Sequence, residues 1–137
     1  MRKAFIGFIC CLLCVKAVAL EARVTQIVDG DTFIGDVLLS DDITIKSIGV
    51  RIRNVDTPEL HGLCESEIER AEKAKERLSE LIPVSSIVKI DNVKNDKYPG
   101  RIDANVYDLK KRDVGLILVR EKIGRPYSGE KRKSWCK

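Results

Sequence analysis

From Arg23 to Val55 the chain is rich in Val, Ile and Thr, and it is interrupted at Asp29-Gly30-Asp31 and Ser40-Asp41-Asp42. Such short polar clusters favour turns, so this half predicts a β-meander of three strands. The period then changes. Ile68, Ala71, Leu78 and Leu81 recur at helical intervals up to Pro83, and Ser66-Glu67-Ile68-Glu69 has the serine-to-glutamate spacing of a capping box. A helix of about four turns is expected there. Strand-like runs return at Ile87–Val93 and Arg101–Tyr107 around a polar turn at Asn95–Gly100. Val114–Ile123 reads as a short apolar helix stopped by Gly124 and Pro126, and the basic stretch Ser128–Lys137 has no apolar period and is expected to be irregular. Five strands with an inserted helix suit a mainly β, α+β architecture closed into a small barrel of the oligonucleotide-binding type, because closure removes exposed strand edges.

The first residues follow a different pattern. Met1-Arg2-Lys3 precedes an apolar block from Ala4 to Val15, and Ala17-Val18-Ala19 has the small-x-small form that precedes signal cleavage. The apolar block is too short to span a bilayer, which takes about 20 residues. A signal peptide over residues 1–19 is therefore expected, followed by one domain over 20–137, exported to the periplasm or secreted. After cleavage the chain is expected to be a monomer with no stable membrane association. The residues before Cys10, Cys11 and Cys14 are too bulky for a lipoprotein cleavage site, so these cysteines read as apolar filler.

Composition changes the picture after processing. The chain carries 25 basic and 21 acidic residues, and loss of Arg2, Lys3 and Lys16 leaves the domain nearly neutral. Any contact with nucleic acid must then come from a local cluster of charge. Only Cys64 and Cys136 remain, and a cysteine pair in an exported protein is expected to form a disulfide. Such a bridge contributes about 4 kcal/mol in the chain-entropy account and pins the tail to the loop before the helix.

Three islands of charge lie at predicted strand ends: Asp29-Gly30-Asp31-Thr32, Arg51 with Asp56-Thr57-Pro58-Glu59, and Asp96-Lys97-Tyr98-Pro99-Gly100-Arg101. Phosphodiester hydrolysis needs a base for water, counter-charge for the phosphoryl oxygens, and donors for charge that develops in the transition state. Asp31, Asp56 and the Thr57 carbonyl are hard oxygen donors suited to calcium, and no His or Cys cluster argues for zinc. Glu59 is a candidate base, while Arg51 and Arg101 can each present a planar fork to phosphate. Taken singly, each has an ordinary reading as a turn, a loop start or a solvated arginine.

In order and spacing, Val28-Asp29-Gly30-Asp31-Thr32, Val50-Arg51, Val55-Asp56-Thr57-Pro58-Glu59, Asp96-Lys97-Tyr98 and Gly100-Arg101 resemble the staphylococcal nuclease family, over roughly Arg23 to Tyr127. The resemblance implies a five-stranded oligonucleotide-binding barrel and calcium-dependent endonuclease cleavage of DNA and RNA leaving 3′-phosphates. It implies calcium ligation by Asp31, Asp56 and the Thr57 carbonyl, and catalytic roles for Arg51, Glu59 and Arg101. Tyr98 matches a tyrosine beside the bound nucleotide, and Tyr127 a second one, though the spacing around Arg125-Pro126-Tyr127 aligns less cleanly.

Three departures stand out: Pro99 adds a residue before Gly100-Arg101, the loop Leu60–Glu65 carries Cys64, and the family's last helix is missing. A loop bulge that absorbs Pro99 is expected. The competing function is a non-catalytic nucleic-acid-binding barrel that keeps the fold without the chemistry. Carboxylates beside a phosphate path oppose simple binding unless a cation neutralises them, so metal dependence separates the two readings.

Overall fold

The computed structural model describes residues 18–136, so the expected signal segment lies almost wholly outside the described residues. The chain opens with β1 (Leu20–Ile27), β2 (Thr32–Ser40) and β3 (Ile43–Ile52), the expected meander. A two-residue strand β4 (Val55–Asp56) leads into α1 (Glu65–Leu81), then β5 (Ile87–Asn95) and β6 (Arg101–Tyr107). Helix α2 (Val114–Arg120) and a short β7 (Arg125–Pro126), paired with β4, precede the irregular tail.

The main sheet closes in the order β1-β2-β3-β6-β5, with β3 and β6 parallel and β5 returning to β1. This is the five-stranded oligonucleotide-binding barrel, and every strand finds a partner on both sides. Alternate residues face inward: Ala22 and Val24 on β1, Val50 and Ile52 on β3, Val88 and Ile90 on β5, Ala104 and Val106 on β6. Strict alternation would turn Gln26 inward on β1. A bulge between Val24 and Gln26 shifts the phase, so Ile27 is buried instead. On α1, Ala71, Ala74, Leu78 and Leu81 form the buried stripe, and Leu78 and Leu81 join the core. Val114 and Leu118 of α2 complete it.

Two helix boundaries differ from expectation. Residue Cys64, not Ser66, is the N-cap of α1, and no side chain caps it, so Ser66-Glu67-Ile68-Glu69 does not act as a capping box. Glu67 is instead buried, with its carboxylate accepting from the backbone N–H groups of Leu63 and Glu59 at 3.0 and 3.3 Å. Its carboxylate ties the preceding loop to the helix, and that need overrides the local cap. Helix α2 is capped by Asp113, whose side chain accepts from Leu116 N–H. It ends before Ile123 because Lys122 turns into the left-handed region at φ 58°, where the N–H groups of Ile123 and Gly124 bond back to the Leu118 carbonyl.

Candidate active site

The barrel register brings the islands together. Thr32 on β2 pairs with Arg51 on β3, and Arg51 pairs with Asp103 on β6, so one rung carries groups from three neighbouring strands. Arg101 lies two residues before Asp103, opposite Gly49. The β1–β2 turn holds Asp31 at this end: the Asp29 side chain accepts from Asp31 N–H at 3.1 Å, and the Asp31 carbonyl accepts from Ile52 N–H at 2.8 Å. Gly30 is required here. A Cβ at that position would sit 2.5 Å from the Ala74 Cβ and 2.8 Å from the Thr57 hydroxyl, so a larger residue would push the turn away from α1.

A cavity of about 510 Å³ opens over this rung, lined by Asp31, Arg51, Glu59, Arg101, Tyr98 and Tyr127 among others. The Arg51 guanidinium lies 3.5 Å from Asp31 and donates to the carbonyls of Ile52 and Val55 at 3.3 Å. It also lies over the Tyr127 ring, 5.3 Å from its centroid, which gives Tyr127 a place at the site despite the imperfect spacing. Arg101 is ion-paired to Asp96 and lies 4.6 Å from the Tyr98 centroid. Burial opposes the Asp96 charge, but bonds from Arg101 and from the Tyr98 N–H outweigh it and hold its pKa below the ordinary range. The turn carrying Pro99 is compact, with Arg101 N–H on the Tyr98 carbonyl and Gly100 at φ 74°. A separate bulge lies in β5, between Asp91 and Lys94, with Asn92 at φ 49°.

Asp56 and Thr57 do not line the cavity; they are almost fully buried and meet its lining through Asp31 and Arg132. Thr57 N–H donates to Asp31 at 3.1 Å, joining the two acidic islands. Asp31, Asp56 and the Thr57 carbonyl offer only oxygen donors, and each already faces a guanidinium group. This donor chemistry fits a hard divalent cation. Among the described residues, the ligand atoms of Cys64, Glu67 and Cys136 also lie within 4.8 Å of one another, but both sulfurs are committed to a disulfide.

Three charged groups at the site carry no signal in the sequence. Arg125 pairs with Asp56 at 3.0 Å, and Arg132, from the irregular tail, pairs with Asp56 at 2.6 Å and with Glu59. Its guanidinium also donates to the Thr57 carbonyl at 3.1 Å. The tail is thus held by more than its disulfide. A run of mixed charge without apolar period carries no signal of where each guanidinium lands. Asp103 is the third: its Oδ1 is buried without a hydrogen-bond partner, and burial followed by the nearby Asp96 charge raises its pKa. Burial, reinforced by Asp31, also pushes Asp29 up to about 7.

A family model described as staphylococcal nuclease homologue matches residues 49–134, more than half of the chain. The span includes Arg51, Asp56, Thr57, Glu59, Arg101 and Arg132, while Asp31 lies before it. No curated protein matches the chain.

Proposed function

The chain belongs to the staphylococcal nuclease family, and on that premise we propose that it is an exported, calcium-dependent endonuclease hydrolysing DNA and RNA. The observation that carries this reading is the meeting of Arg51, Arg101, Asp31 and Glu59 around one cavity, with buried Asp56 and Thr57 joined to that lining through Asp31 and Arg132. Export is supported by the N-terminal pattern and by the Cys64–Cys136 disulfide, a bond at home in oxidising compartments.

Calcium held by Asp31, Asp56 and the Thr57 carbonyl would supply counter-charge to the phosphate and acidify a water molecule. The protein's own groups do the rest. Arg51 and Arg101 approach the cavity from neighbouring strands, so each guanidinium can donate to a different phosphoryl oxygen and to the charge that grows there in the transition state. Carbonyl bonds and the Tyr127 ring hold Arg51, and Asp96 holds Arg101, so little ordering remains on substrate binding. The Glu59 carboxylate, about half exposed and ion-paired to Arg132, can accept a proton from attacking water once that pair opens. Tyr98 offers an exposed ring on which a base can stack.

Cleavage of single-stranded DNA and of RNA by the purified protein, with calcium and with calcium chelated, tests this reading. Calcium-dependent cutting is expected, and Glu59→Gln is expected to fold normally and cut at least about a hundredfold more slowly. Folded protein that binds but never cuts would instead support a nucleic-acid-binding barrel. One observation favours that second reading: Arg132 already neutralises Asp56 and Glu59 without a metal.

A further inference from the structure

The guanidinium of Arg132 makes a directed set of contacts. Its Nε donates to Asp56 Oδ1 at 2.7 Å, one terminal nitrogen donates to the Thr57 carbonyl at 3.1 Å, and the other meets Glu59. Two of these partners are oxygens assigned above to the cation, and the third is the assigned base. A divalent ion on Asp56 and Thr57 would share the same lone pairs with a positive charge only a bond length or two away. The two cannot coexist in this arrangement.

The segment that delivers Arg132 is built to stay close. Cys136 is bonded to Cys64 at the start of α1, four residues along the chain from Arg132. Between them, the Trp135 indole N–H donates to Asp56 Oδ2 at 3.2 Å, and its ring lies 4.1 Å from the Arg125 guanidinium carbon. Arg132 itself is 37% exposed and its segment has no regular structure, so it can leave the site without breaking a strand or helix.

We propose that Arg132 is a built-in competitor for the divalent cation, seated on Asp56, Thr57 and Glu59 until the ion displaces it, with the Cys64–Cys136 bridge keeping the tail within reach. This inference rests on the reading that Asp31, Asp56 and Thr57 bind a divalent ion. Arg132 and Asp56 share one chain, so the competition is intramolecular whatever the protein concentration, and the bridge raises the effective concentration of the tail at the site. Apparent calcium affinity is then reduced by the fraction of molecules in which Arg132 is seated. Displacement also frees Glu59 from its ion pair, so occupancy by the ion and release of the base occur together.

Calorimetric titration of the purified protein with calcium chloride tests this, beside Arg132→Ala, Arg132→Gln and Lys131→Ala. Lys131 is exposed and adjacent, so its loss changes net charge equally without touching the site. If Arg132 is seated in about nine molecules of ten, both Arg132 variants bind calcium about tenfold more tightly and Lys131→Ala binds as the unaltered protein does. The Cys64→Ser/Cys136→Ser protein is expected to fall between them. Trp135 is the single tryptophan, so its emission is expected to shift along the same calcium isotherm. Equal or weaker calcium binding by the Arg132 variants overturns the competition while leaving the metal site intact. Binding by the double serine protein that matches the unaltered one removes the tether from the proposal, and bound calcium without a change in Trp135 emission rules out displacement. Absence of calcium binding by every protein overturns the metal reading itself, and the competition with it.

Discussion

Glu67 shows how one side chain can decide the geometry of another. Its buried carboxylate accepts from Leu63 and Glu59 N–H groups and thereby sets the backbone on which the candidate base is mounted. Gly62 leaves the room for this, since a Cβ there would lie 2.6 Å from Glu67. Glu67→Ala would leave two N–H groups without their acceptor, at a cost of about 2 kcal/mol in chemical unfolding. The same variant is expected to lower the cleavage rate more than it weakens substrate binding, because Glu59 loses its position while Arg51 and Arg101 keep theirs. A Glu59→Gln background checks the coupling: adding Glu67→Ala there should reduce the rate little further.

At the scale of elements, the connection from β6 to α2 depends on Asp108. Its nearly buried side chain accepts from the N–H groups of Lys110 and Arg112, both at 2.9 Å, and pairs with the Arg112 guanidinium at 2.7 Å. Burial opposes its charge, but these donors prevail and its pKa falls below the ordinary range. A carboxyl with a lowered folded pKa stabilises the protein above its unfolded value, about 3.9, and loses that contribution as pH falls through the folded value. Asp108→Asn is therefore expected to be less stable than the parent by about 1–2 kcal/mol at pH 7. The gap should narrow as pH falls below about 4, as followed by denaturant midpoints across pH.

For the whole molecule, the Cys64–Cys136 bridge spans 72 residues and joins the start of α1 to the far end of the tail. Closing a loop of that length restricts the unfolded chain by about 4 kcal/mol. Cys64→Ser/Cys136→Ser is expected to lower stability by that order in guanidinium unfolding, while the barrel, whose core contains neither residue, keeps its strand signature in circular dichroism. The bridge does a second thing that no count of its stability captures. It keeps a basic segment against the buried acid of the site, where Arg125, Arg132 and Trp135 all meet Asp56. Among the described residues no helix is long and apolar enough to cross a membrane.

The five barrel strands and both helices are legible in the sequence because their signals are local: β-branched runs broken by Asp-Gly and Ser-Asp clusters, and one apolar stripe at helical intervals. The two-residue strands β4 and β7 carry no such signal, since only their pairing with each other defines them. The residue types of Asp31, Arg51, Asp56, Thr57, Glu59 and Arg101 are equally legible, since order and spacing along the chain carry them. The tertiary structure decided what depends on contacts distant in sequence. It set the parallel pairing of β3 with β6 that aligns Arg51 with Asp103, the use of Glu67 as a loop clamp instead of a cap, and the bulges in β1 and β5. It also placed Arg132 on Asp56, 76 residues away along the chain. A guanidinium in an aperiodic basic tail looks the same in sequence wherever it lands, and only closure of the barrel and the disulfide determine which carboxylate lies within its reach.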